Sequence, residues 1–71
     1  MKDVGTYLIR LHGPVDQGEI NALSPLRLVL VQTSDAIALF CVEADQAGLI
    51  GLMRHLHGLG LRLVSMQRMD S

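Results

Sequence analysis

Few residues in this 71-residue chain could do chemistry: one cysteine, three histidines and seven carboxylates. Cys41 lies between Phe40 and Val42 in a strand-like run. A nucleophilic thiol needs exposure and a nearby base, and this context reads instead as a small buried apolar residue. His55 and His57 are two apart in a helical pattern, which sets them about 200° from each other on the helix. They cannot share a metal, and His-x3-His zinc spacing is absent. They read as solvated, with bridging across an oligomer interface as the alternative. The carboxylates are isolated or sit at caps and turns, with no acid/base pair. Ser-His-Asp, Cys-x-x-Cys and phosphate-cradling glycine signatures are missing. The expectation is a protein that is not an enzyme and has no metal and no cofactor. An enzyme would need a polar site between subunits, containing Asp45, His12 or His55.

The segment Glu43-Ala44-Asp45-Gln46-Ala47-Gly48-Leu49 has the physics of small-molecule capture. N–H groups at a helix start attract carboxylates, and Gly48 lets a ligand approach the backbone. Asp45, Gly48 and Leu49 are therefore the candidate ligand-binding residues. The competing reading is structural: Asp45 caps the helix itself, and Gly48 serves close packing.

Six elements would position these residues. Thr6 to His12 reads as a strand, stopped by Gly13-Pro14. Asp16 to Leu23 makes a short helix with Asp16 as N-cap and Glu19 three residues on, ended before Pro25. Leu26 to Thr33 and Ile37 to Glu43 form an antiparallel hairpin around Ser34-Asp35-Ala36. Asp45 to Leu59 is the clearest helix, with Leu49, Leu52, Met53 and Leu56 in one apolar stripe. Leu61 to Met69 is the last strand. A weak internal repeat supports this order: Leu26-Arg27-Leu28-Val29 recurs as Leu61-Arg62-Leu63-Val64, and Asp16-Gln17 as Asp45-Gln46. A doubled split β-α-β unit would leave such a trace. The expected fold is α+β: a ferredoxin-like βαββαβ sandwich, with a four-stranded antiparallel sheet, two helices on one face and a short first helix. Residues 1–71 form a single domain.

Composition bounds the function. Apolar residues are 49% of the chain and aromatic ones 3%. This excludes disorder, and one cysteine excludes a disulfide scaffold. No apolar run approaches the roughly 18 residues of a membrane span, so no membrane partner is expected. The net charge of −1 and scattered basic residues argue against nucleic acid, as does the shortage of stacking aromatics. The stretch from Met1 to Gly5 lacks a signal-peptide pattern, so a reducing, cytoplasmic setting is expected. Both faces of the hairpin strands are apolar, and the first and last strands are more polar, as edge strands would be. A sheet with helices on one face should have a polar second face. Here that face should be covered, most simply by a second copy in a homodimer or larger oligomer. The surplus is placed at Val29, Val31 and either Ile37/Leu39 or Phe40/Val42.

The run Leu39-Phe40-Cys41-Val42, then Asp45-Gln46-Ala47-Gly48-Leu49, the helix to Gly58 and Gly60-Leu61-Arg62-Leu63-Val64-Ser65 resembles an ACT domain over about half of the chain. ACT domains are small ligand-binding regulatory modules of amino-acid metabolism. The resemblance implies a ferredoxin-like fold, assembly side by side or face to face, and an amino acid held near Asp45, Gly48 and Leu49 at a subunit interface. The chain departs from the family pattern at three points. Ala47 replaces a proline, Arg62 stands where asparagine is common, and the motif lies in the second half rather than the first. The leading expectation is a non-enzymatic, oligomeric regulatory domain that binds a small metabolite such as an amino acid at a subunit interface. The alternative is a protein–protein interaction module of the secretion or assembly type, with a partner docked on its apolar sheet face or an edge strand; Leu52 to Met66 would suit it.

Overall fold

A computed structural model describes residues 4–69. Residues 1–3, on which the signal-peptide reading partly rests, lie outside the described residues. The order is β1 (Gly5–His12), α1 (Gln17–Asn21), β2 (Val29–Thr33), β3 (Ile37–Ala44), α2 (Gln46–Gly58) and β4 (Leu63–Arg68). The protein is α+β, with one four-stranded sheet in the order β2-β3-β1-β4 and every pairing antiparallel.

The hairpin forms as expected, with Leu30 opposite Phe40. The first strand does not sit at an edge. β1 lies inside the sheet, with Arg10 opposite Leu39 on one side and Ser65 on the other. Its polar residues belong to a face, which a one-strand pattern cannot distinguish from an edge.

Strand alternation sorts the side chains. Ile9, Leu11, Leu28, Ala38, Phe40 and Val42 are buried in one cluster with Ile20 of α1 and Leu52 and Leu56 of α2. The opposite parity carries Leu8, Arg10 and His12 in β1, and Ile37, Leu39, Cys41 and Glu43 in β3. Ile37/Leu39 thus lie outside the core and Phe40/Val42 inside it. Cys41 is half-buried on the open face and is not a core residue. That face is apolar at its centre and polar around it, rather than greasy throughout.

Both helices start on an aspartate. Asp16 Oδ2 accepts from the Glu19 N–H at 2.9 Å, and Asp45 Oδ1 from the Gly48 N–H at 2.7 Å. The sequence repeat therefore marks real structural correspondence: each Asp-Gln opens a helix, and each Leu-Arg-Leu-Val leads into an outer strand.

α1 is shorter than the sequence suggests: it ends at Asn21, whose side chain reaches the segment leading into β2. Its amide donates to the Leu28 carbonyl at 2.8 Å and accepts from the Leu28 N–H at 2.7 Å. Gln17 Oε1 accepts from the Leu30 N–H at 2.6 Å. Two amide side chains thus take up backbone groups along the outer edge of β2. Leu23, in the link that follows, is 99% exposed with φ of 59°. The left-handed region costs a leucine about 1–2 kcal/mol.

Two stability predictions follow from this packing. Leu52 is fully buried, so Leu52→Ala is expected to cost about 2–5 kcal/mol in urea unfolding. A loss below about 1 kcal/mol would put the core face of α2 elsewhere. Asn21→Ala leaves both Leu28 backbone groups without their side-chain partner, at about 1–3 kcal/mol. An unchanged melting curve for Asn21→Ala would show that water replaces the amide freely.

Candidate functional site

The Asp45–Leu49 junction is built by a strand running directly into a helix. β3 ends at Ala44, and Asp45 is extended at φ −88° and ψ 179°. Its carboxylate then turns back onto the Gly48 N–H, while its carbonyl accepts from the Leu49 N–H at 3.0 Å. A Cβ at Gly48 would lie 3.1 Å from Asp45 Oδ1 and 3.4 Å from a Leu26 methyl. Glycine suits the position chiefly because a side chain there would crowd the capping carboxylate of Asp45, with Leu26 and Ala44 at ordinary contact distance. Leu49 is buried. The structure therefore brings Asp45, Gly48 and Leu49 together on one helical turn. The capping bond already takes one N–H that an anion would use, and Leu49 sits among core-side atoms rather than at a surface.

The histidines are dispersed. His12 ends β1 and is exposed, and His57 is exposed on α2. His55 is half-buried, and its Nε2 lies 2.9 Å from the Ile20 carbonyl. A carbonyl only accepts, so Nε2 carries the proton. This corrects the solvated reading of His55: the residue ties α2 to α1. Helical spacing places it on a flank of the apolar stripe but does not reveal that α1 passes there. Among the described residues no three His, Cys, Asp or Glu side chains come together as a metal site. No helix of the described residues is long and apolar enough to cross a membrane.

The open sheet face offers the broader surface. Leu8 and Cys41 are cross-strand partners at its centre. Leu39 and Ile37 continue the apolar strip along β3, and Val29, half exposed at 52%, extends it onto β2. Charged and polar groups surround the strip. Arg10 Nη1 donates to Ser65 Oγ over a long 3.4 Å. A shallow groove of about 170 Å³ runs between Arg10, Gln32, Ser34, Ile37 and Leu39. A second, of about 260 Å³, lies between Arg27, Val29, Cys41, Val42 and Glu43. Neither encloses a reactive cluster.

Residues 6–67 match the sequence family described as a domain of unknown function, DUF8691. The chain belongs to this family. No curated protein matches it, and no solved structure does. The span shared with DUF8691 runs from the second residue of β1 to the last but one of β4, so all of the sheet but Gly5 and Arg68, and both helices, fall within the family unit. The Asp45–Leu49 junction and the open face of this DUF8691 domain both lie inside that span.

Replacing Asp45 separates the two readings of the junction. As a cap, Asp45→Ala costs about 1 kcal/mol in thermal or urea unfolding. As a ligand contact, it would leave the free protein's stability unchanged and abolish ligand-induced stabilisation. His55→Ala is expected to cost about 0.5–1.5 kcal/mol through its lost bond to Ile20, with His57→Ala nearly silent as the comparison.

Proposed function

We propose that this DUF8691 domain is a non-enzymatic assembly module of ferredoxin-like topology that pairs with a second copy of itself through the open face of its sheet. The topology is supported by the element order β-α-β-β-α-β and by the strand order, which from the other edge reads β4-β1-β3-β2. It is further supported by side chains of both helices entering one cluster with a single strand parity. The same topology is what the ACT resemblance implies.

One observation carries the functional reading. Leu8, Ile37, Leu39, Cys41 and Val29 form a continuous apolar strip on the face without helices. Such strips on small domains serve as contact surfaces. The strip supports assembly better than the Asp45–Leu49 junction supports ligand capture, because that junction is closed by its own cap and by Leu26.

The sheet edges are poorer docking sites than the face. Leu30 and Gln32 pair with Phe40 and Leu39, which leaves Val31 as an extra residue in β2. Ser65 and Leu63 pair with Arg10 and Leu11, which leaves Val64 as the extra residue in β4. A bulge twists an edge away from a flat partner strand. Gln17 and Asn21 additionally occupy backbone groups at the β2 edge. A free thiol at Cys41 beneath such a contact accords with a reducing, cytoplasmic setting.

Sedimentation velocity over micromolar to high-micromolar concentrations tests the proposal. The expected result is a concentration-dependent dimer that Leu8→Glu converts to a folded monomer, since it sets like charges near each other in an apolar contact. A wild-type protein that stays monomeric throughout would overturn self-pairing and leave the face to a different protein. A dimer indifferent to Leu8→Glu would place the contact elsewhere.

A further inference from the structure

We infer that the second copy docks about a two-fold axis crossing the strands at the Leu8–Cys41 pair, so that Arg10 of each protomer meets Glu43 of the other. This rests on the self-pairing proposed above and specifies its register.

The open face of the two inner strands is a ladder of rows. Thr6 pairs with Glu43, Leu8 with Cys41, Arg10 with Leu39 and His12 with Ile37. The row on one side of Leu8–Cys41 carries a carboxylate, and the row on the other side carries a guanidinium. An axis in the gap between the sheets, perpendicular to the strands at that central row, exchanges the two ends. Each protomer's basic row then lies over its partner's acidic row. A two-fold contact requires this kind of self-complementarity, in which one residue meets a second and the second meets the first. Shifting the axis by one row to Arg10–Leu39 would stack two guanidiniums. Shifting it to Thr6–Glu43 would bring two carboxylates together.

Dimensions permit the contact. The axis sets β1 over β1, so Arg10 reaches the partner's Glu43 one strand to the side. Sheets about 10 Å apart with strands about 4.8 Å apart make this roughly 11 Å, which an arginine and a glutamate extended toward each other can bridge. With eight residues in β1 and β3, six in β4 and five in β2, at about 3.3 Å per residue and about 4.8 Å between strands, the face presents roughly 430 Å² per protomer. Both faces together bury about 860 Å², the size of a weak, concentration-dependent contact. An interface of this size cannot waste a charge in its interior. Within the chain, the hydrogen bond of Arg10 goes to Ser65 Oγ, and no carboxylate among the described residues pairs with it. Glu43 has Arg27 beside it along the groove that also contains Val29 and Cys41. In the assembled pair Glu43 is therefore flanked by two guanidiniums, its own Arg27 and the partner's Arg10.

A double-mutant cycle on the dimer dissociation constant tests the register. It uses sedimentation equilibrium of the wild type, Arg10→Ala, Glu43→Ala and the double variant, with the exposed Arg54→Ala on α2 as reference. Arg10 and Glu43 are exposed, and circular dichroism checks that each variant keeps its fold. Two symmetry-related ion pairs are lost in each single variant, so each is expected to weaken dimerisation about tenfold. The double variant should be no weaker than either single one, the sign of a direct pair. Arg54→Ala, on α2 and away from the open face, should combine additively with Arg10→Ala. The rate at which a thiol reagent labels Cys41 should fall as protein concentration rises, because the axis passes beside that residue. A protein that dimerises with additive or absent effects at Arg10 and Glu43, or with Cys41 labelled equally fast at every concentration, would overturn this register while leaving self-pairing intact. A wild-type monomer at all concentrations would remove both.

Discussion

Phe40 sets the parity on which the rest of the sheet depends. It is fully buried and lies opposite Ile9 on one side and Leu30 on the other. Three strands therefore commit one residue each to the same point in the core. Side chains alternate along a strand, so a slip of one residue would turn every apolar group of that strand to the other face. Burying Phe40 thereby also decides what the open face contains. Leu39 and Cys41 must point away from the helices, and with them Glu43; opposite them come Leu8 and Arg10. The chemistry of the outer surface is set by the packing of the inner one.

The outer strands are handled differently from the inner ones. β2 and β4 each carry an extra valine that interrupts the ladder, and β2 is further engaged by two amide side chains from α1. These devices act on backbone groups that would otherwise template another strand. α1, with five residues, is too short to add much helix stability of its own. Its contribution is Ile20 in the core and the Gln17 and Asn21 amides along the strand edge. His55 holds the helix from the other side through its carbonyl at Ile20. A small element is kept in place by three polar contacts and one apolar one.

Much of this arrangement is legible in the sequence. The hairpin, both aspartate caps and the Leu52–Leu56 stripe follow from alternation, spacing and capping chemistry. What escapes has specific physical causes. Both parities of β3 are apolar, so the pattern Ile37-Ala38-Leu39-Phe40-Cys41-Val42 cannot say which half is buried, and Cys41 is assigned to the wrong side. β1 resembles an edge because Arg10 and His12 are polar; a residue facing outward from an inner strand leaves the same trace. Asn21 is a helix residue, and nothing in its spacing shows that its side chain bonds to Leu28, seven positions ahead. The role of His55 depends on where α1 passes, which its own helix does not encode. At the Asp45–Leu49 junction the residue types fit capture and capping equally, and spacing alone does not choose between them.

The inner position of β1 also governs the order in which the fold can be assembled. The hairpin of β2 and β3 closes across three residues and can form early. β1 gains its second neighbour only with β4, as Arg10 and Ser65, 55 positions apart, come together. Closing so long a loop carries an entropic cost before any contact repays it, and folding slows as contacts become less local. As the chain leaves the ribosome, β1 appears first and waits with one flank open until nearly the whole domain has emerged. Throughout that interval the backbone groups on its open flank can pair with other nascent or unfolded chains, a hazard that the finished sheet no longer presents.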